Sequence, residues 1–164
     1  MHVKSLRLYS FLPVLATTLM LAYAYYVQYV DYLDPCPLCL VQRLIILIIG
    51  LIFLLTLIAP PQNLFRKIIA GIIIVVTVIG CAVSGRHVWL QNLPADEVPA
   101  CGPGLSYMLE NLPLGSVFNS LFTGSGECAE ISWRFLGLSM PTWTLITFIG
   151  FIIYTIIWAR IKKS

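Results

Sequence analysis

The sequence predicts an all-α polytopic membrane protein: a four-transmembrane-helix bundle with a short horizontal interfacial helix in the second outside loop. Three observations predict it. The 164 residues are 59% hydrophobic and only 10% charged, with a mean hydropathy of +0.91; soluble domains carry about 25% charged residues. Four charge-free stretches, Leu8–Val30, Leu44–Phe65, Ile68–Gly85 and Phe135–Ala159, each approach the roughly 20 apolar residues that one bilayer crossing needs. None shows strand-like alternation, so helices must satisfy the backbone in lipid. Composition excludes a cytosolic globule, a disordered chain and a broad basic nucleic-acid surface. It also leaves no room for a separate soluble catalytic domain, so any chemistry sits in the bundle or its loops.

The elements follow in order. Residues 1–7 form a charged cytoplasmic N-terminus, and 8–30 the first span; that run is too long for a signal-peptide core and is expected to be retained. A short outside loop, 31–40, carries Cys36-Pro-Leu-Cys39. The second span is 41–59, a cytoplasmic turn 60–67, and the third span 68–88. The long outside loop 89–140 is rich in Gly and Pro. Within it Leu114, Val117, Phe118, Leu121 and Phe122 repeat at helical spacing, predicting an amphipathic helix over 114–122 that lies on the membrane surface. The fourth span is 141–159 and the tail 160–164. Lys4, Arg7, Arg66, Lys67, Arg160, Lys162 and Lys163 fall on one side. All seven acidic residues fall on the other, with Arg43, Arg86 and Arg134. The positive-inside rule therefore puts both termini in the cytoplasm.

Five cysteines are present. Cys81 lies within the third span, where a free cysteine is an ordinary apolar residue. Cys36, Cys39, Cys101 and Cys128 lie outside, in the oxidising compartment. Three readings compete for them: two structural disulfides, a four-cysteine zinc site, and a redox relay. Zinc ribbons use two close-spaced pairs, and here only one is close. Structural bridging suits the long Cys101–Cys128 interval, since closing a flexible loop limits unfolded-state entropy. It suits the C-x-x-C poorly, because a bridge there constrains almost no chain but does tune thiol acidity and potential.

Pro37 suits a first helical position. Cys39 then sits in the first turn, where the helix dipole favours a thiolate. Arg43, four residues on, shares its face and can hydrogen-bond an anionic or carbonyl group. Arg86-His87 sits at comparable depth at the end of the third span. A relay needs an external acceptor, and no haem, iron–sulfur or dinucleotide motif is present. Electrons emerging at a membrane interface point to a quinone.

These residues resemble the disulfide bond formation protein B (DsbB) family over nearly the whole chain. The resemblance rests on Cys36-Pro-Leu-Cys39-Leu-Val-Gln-Arg43, Arg86-His87-Val-Trp89-Leu-Gln91, Cys101, Gly126-Glu-Cys128-Ala-Glu130 and Phe135-Leu-Gly-Leu-Ser-Met-Pro-Thr-Trp143, in that order. It implies a quinone-dependent thiol:disulfide oxidoreductase of the bacterial inner membrane, monomeric there, with redox pairs Cys36–Cys39 and Cys101–Cys128. The implied cofactor is ubiquinone or menaquinone, held by Cys39, Arg43 and His87, with no metal. The implied partner is a periplasmic thioredoxin-like oxidase of the DsbA type, which would attack Cys101 and release Cys128 to engage Cys36. Two departures stand out: Gln42 where some members carry an acid, and the additional Cys81. A paralogue serving a dedicated partner, and a non-catalytic membrane protein with structural disulfides, are the alternatives.

Overall fold

The computed structural model describes residues 2–30, 32, 35–94, 96–98, 115, 126–131 and 133–160. Four long helices dominate: α1 (His2–Val30), α2 (Pro37–Ile58), α3 (Asn63–Leu90) and α4 (Met140–Arg160). All four are long and apolar enough to cross a membrane. Each runs past the expected span, α2 by beginning at Pro37 and α3 by covering Asn63–Leu90. Charge ends an apolar run without ending a helix: Arg43 lies within α2 and Arg66 in the first turn of α3. Between the last two helices lies a feature that the all-α expectation did not include. Strands β1 (Arg134–Phe135) and β2 (Leu138–Ser139) pair antiparallel around Leu136-Gly137. Both turn residues have positive φ, 51° and 81°, as a tight two-residue hairpin turn requires. Two-residue strands are too short to leave a period in the sequence. Of the expected 114–122 surface helix only Gly115 is among the described residues.

Helix α1 packs on α2 and α3 on α4, and α2 with α3 joins the two pairs. Small residues set these approaches. A Cβ on Gly50 would stand 2.6 Å from Thr17 Oγ1, and one on Gly80 would stand 2.8 Å from the Phe148 ring. Ile49, Phe53, Ile73, Phe148 and Trp158 fill the core, where the Phe53 and Trp158 rings meet edge-on at 5.6 Å. Thr56 Oγ1 donates to Ser10 Oγ at 3.1 Å, tying α1 to α2 in the buried interior.

Helices α1 and α4 meet far less closely than the other adjacent pairs. Among the described residues, one side-chain hydrogen bond joins them. Pro13 has no N–H, so the Tyr9 carbonyl four residues back lacks its helical donor. The Tyr154 hydroxyl of α4 supplies one, donating to Tyr9 O at 2.6 Å. An unsatisfied carbonyl is costly where lipid replaces water. Tyr154→Phe is therefore expected to destabilise the bundle by about 1–3 kcal/mol, read as a lowered Tm in detergent. An unchanged Tm would show that the Tyr9 carbonyl needs no partner from α4.

Candidate functional site

The site lies at the bundle end where α1 finishes, α2 begins, α3 finishes and α4 begins. Its geometry starts with Cys36, which is the N-cap of α2 in extended conformation, followed by Pro37 in the first turn. Proline there fixes a helical φ and gives up an N–H that would have no intrahelical acceptor. The Cys36 carbonyl accepts from Leu40 N at 3.2 Å. The turn so formed brings the two sulfurs together, with Cys36 Sγ donating to Cys39 Sγ at 3.1 Å. Cys39 stands in the first helical turn, at the positive end of the dipole.

Cys128 reaches the same place from far along the chain. It closes a 3-10 turn, Gly126–Cys128, in which Ala129 N donates to Gly126 O at 3.0 Å, and it is fully buried. Its sulfur, the Cys36 sulfur and a His87 ring nitrogen all lie within 4.8 Å of one another. The hydrogen bond with Cys128 eases ionisation of Cys36. The hydrogen bond with Cys39, burial and the charge of Cys39 outweigh it and push the Cys36 thiol up to about 12. Cys101 lies outside the described residues, and with it the expected Cys101–Cys128 pair. Cys81 packs at the edge of the core, midway along α3 and away from this cluster.

His87 is buried among these sulfurs. Its Nε2 is 3.7 Å from Cys36 Sγ, and its Nδ1 is 3.3 Å from Gln42 Nε2. Gln42 is itself buried, so each polar group answers the other where neither has water. His87 thus faces Cys36 and Cys128. Arg86, beside it, points elsewhere, with its guanidinium 5.2 Å from the centre of the Trp89 ring.

Two cavities open from the cluster. The smaller, ≈ 90 Å³, is lined by Cys36, Cys39, Arg43, His87, Gln91 and Trp133 among others. The larger, ≈ 220 Å³, lies between α1, α2 and α4, where α1 and α4 stand apart. Met20, Ala24, Ile46, Met140 and Trp143 make it mostly apolar, with Cys39, Gln42 and Arg43 as polar points. Cys39 and Arg43 line both cavities, whereas His87 lines only the smaller. The Arg43 guanidinium donates to Gln28 Oε1 and, at 3.0 Å, to the Ala24 carbonyl. It also lies 5.4 Å from the centre of the Tyr25 ring. All three partners are uncharged and leave its positive charge in place beside Cys39. A cavity of about 150 Å³ is enough for a benzene ring, so the larger cavity, at ≈ 220 Å³, has room for one six-membered ring.

Several contributors carry no signal in the sequence. Trp133 lines both cavities. It bridges Tyr23 of α1 at 6.0 Å and Phe135 of β1 at 6.1 Å. Trp143 Nε1 then donates to the Phe135 carbonyl at 3.1 Å, so an aromatic chain spans the site from α1 to α4. Ser139 Oγ donates to Gln91 Oε1 at 2.6 Å and fixes the hairpin to the end of α3. Trp and Tyr at this level would have suggested only an interfacial belt.

The chain is similar to known proteins over most of its length. The family model described as "Disulfide bond formation protein DsbB" matches residues 6–158. "Disulfide bond formation protein B" of Nitrosococcus oceani is 49% identical over 145 residues, covering 88% of this chain and 86% of that protein. Its namesake in Hahella chejuensis is 49% identical over 149 residues, covering 91% and 88%. That of Methylococcus capsulatus is 44% identical over 150 residues, covering 92% of each.

The raised Cys36 pKa has a direct chemical consequence. Only a thiolate alkylates, so in the reduced protein Cys36 should react slowly with iodoacetamide at about pH 8, near the ordinary thiol pKa. Its rate should keep climbing with pH towards the value of about 12. Peptide mass spectrometry of pH-stepped samples measures this, and a plateau by about pH 9 would contradict it.

Proposed function

The chain belongs to the DsbB family of disulfide bond formation proteins, and from that premise we propose that it oxidises a periplasmic DsbA-type thiol oxidase and delivers the electrons to a membrane quinone. The observation that carries the reading is that Cys36 touches Cys39 on one side and Cys128 on the other. One sulfur is thereby in reach of both exchange partners.

Thiolate–disulfide exchange conserves electrons at every step. A thiolate of the partner attacks Cys101 of a Cys101–Cys128 disulfide; a partner–Cys101 bond forms and Cys128 leaves as the thiolate. Cys128 attacks Cys36 of the Cys36–Cys39 disulfide, so the Cys36–Cys128 bond forms and Cys39 leaves. The partner's second thiolate then displaces Cys101 and departs oxidised. Cys101 attacks Cys128, restoring the first disulfide and releasing Cys36. Two electrons now reside on Cys36 and Cys39.

The asymmetry of the C-x-x-C gives this sequence its direction. The better leaving group departs faster. Cys39 has the helix N-terminus and, one turn away, Arg43 to favour its anion. Cys36, the N-cap, shares the helix end but lacks Arg43, and the Cys39 hydrogen bond, burial and the charge of Cys39 hold its proton to about 12. Attack on Cys36 with departure of Cys39 is therefore the favoured split, and it leaves the negative charge beside the larger cavity.

Cys39 and Arg43 would hold the quinone there, with the apolar wall of Met20, Ile46 and Met140 excluding water. When bound, the quinone supplies a two-electron, two-proton acceptor. The Arg43 guanidinium offers donors to its carbonyl oxygen. His87 faces Cys36 and is assigned to that side of the relay. The basic bias of the loops supports cytoplasmic termini and a periplasmic cysteine end.

Purified protein, a reduced DsbA-type substrate and a short-chain quinone test this. Cys39→Ser should abolish quinone reduction. Arg43→Ala should raise the KM for quinone by roughly tenfold, the cost of one charge-assisted hydrogen bond, in protein that far-UV circular dichroism shows to be folded. Full turnover by Cys39→Ser would end the relay reading, and an unchanged KM in Arg43→Ala would remove Arg43 from the quinone site.

A further inference from the structure

The same cluster has a second chemistry that disulfide exchange does not use. Cys36 Sγ, Cys128 Sγ and a His87 ring nitrogen lie within 4.8 Å of one another, and Cys39 Sγ stands 3.1 Å from Cys36 Sγ. That is two sulfurs and an imidazole at one point, with a third sulfur in contact with one of them. The spacing of the four outer cysteines counts against zinc, because Cys101 and Cys128 are not a close pair. The fold supplies a different fourth donor, a histidine from the far end of α3.

Three donors are already close enough for a tetrahedral site, and rotation of the neighbouring Cys39 side chain would supply the fourth. Zn–S bonds of about 2.3 Å and Zn–N bonds of about 2.0 Å put neighbouring donors roughly 3.5–3.8 Å apart. The Cys36–His87 separation is 3.7 Å. The Cys36–Cys39 pair has the C-x-x-C spacing of structural zinc sites. His87 and Cys128 are 2% and 0% exposed, so the donors face one another and not solvent. The imidazole, which hydrogen-bonds the Cys128 backbone in this structure, can take up a ligand's orientation if the Gln42 amide turns over. Metal-bound histidine usually donates its other ring N–H to a fixed acceptor, and the buried Gln42 amide lies 3.3 Å from Nδ1. Turned so that its carbonyl oxygen meets Nδ1–H, that amide leaves the Nε2 lone pair aimed at the sulfurs. Two or more thiolates with an imidazole select a thiophilic cation over Mg²⁺ or Ca²⁺.

We propose that the fully reduced protein binds one Zn²⁺ through Cys36, Cys39, Cys128 and His87. Each coordinating thiol gives up one proton to solvent as its sulfur–zinc bond forms, and no electrons move. A disulfide that includes Cys36 removes two donors together, so the site exists only in the dithiol state. Zinc then holds the reduced protein out of disulfide exchange. The site stands on ligand geometry alone and does not depend on the quinone relay.

The test is Co²⁺ and Zn²⁺ binding to anaerobically reduced, desalted protein in detergent, with no partner or quinone present. One equivalent of Co²⁺ should give the visible d–d bands of a tetrahedral ion with thiolate-to-cobalt charge transfer, and Zn²⁺ should displace it. Protein oxidised beforehand should show neither. Cys128→Ser and His87→Gln should each weaken Zn²⁺ binding by more than roughly 100-fold, and Gln42→Ala, which removes only the orienting partner, by roughly 10- to 100-fold. His87→Gln keeps a buried amide, and Tm with far-UV circular dichroism verifies that each variant is folded. Cys81→Ser and Cys101→Ser should bind like the parent. Failure of the reduced parent to bind would overturn the proposal. So would parental affinity in folded Cys128→Ser and His87→Gln, which would assign the metal to the C-x-x-C alone. Loss in Cys101→Ser with parental affinity in His87→Gln would assign it to four cysteines and equally overturn the proposal.

Discussion

The contact between Cys36 and its two sulfur neighbours is the constraint around which the bundle end is arranged. Three chain segments must converge for it to exist: the start of α2, the end of α3 and the turn at Gly126–Cys128. Each convergence has a local cause. Pro37 winds the C-x-x-C into the first turn of α2. Gly80 lets α3 approach the Phe148 ring of α4, and the Ser139–Gln91 hydrogen bond holds the hairpin against the end of α3. Burying so many polar atoms is expensive unless each finds a partner. Gln42 and His87 meet that requirement mutually, and in doing so aim the imidazole at Cys36.

A single helical turn separates two environments. Cys36 faces Cys128 and His87, whereas Cys39, three residues on, lines the apolar cavity between α1 and α4 along with Arg43. The loose packing of α1 on α4 is what makes that cavity, and it is not uniform. Near the chain termini the two helices are joined by the Tyr154–Tyr9 hydrogen bond, a consequence of Pro13. Near the cysteines they stand apart, bridged above by the Tyr23–Trp133–Phe135–Trp143 aromatic chain. The helix pair is thus closed at one end and parted at the other, with Cys39 on the wall of the gap.

Much of this was legible in the sequence. Charge-free runs of membrane length specify the four helices, and C-x-x-C beside Pro37 and Arg43 marks the reactive end, because these signals are local and periodic. The rest is tertiary. Nothing in the spacing of Cys128 says that it lies against Cys36 across the whole of α2 and α3. Gln42 reads as a neutral departure beside Arg43 until His87 is seen on its amide. His87 reads as a second head-group contact until its ring is seen among the sulfurs. Trp133, Gln28 and the Leu136-Gly137 hairpin leave no pattern at all, since single aromatics and two-residue strands have no period. The pairing of Cys101 and the 114–122 helix fall outside the described residues.

The adjacency of Cys36 and Cys128 underlies the whole bundle end, and disulfide trapping reads it most directly. A Cys39→Ser, Cys101→Ser double variant leaves Cys36, Cys81 and Cys128 as its cysteines. Mild oxidation followed by non-reducing peptide mapping should yield a Cys36–Cys128 disulfide in nearly every molecule, formed within one chain. Free Cys36 and Cys128, or bridges only between chains, would contradict the arrangement on which the rest depends.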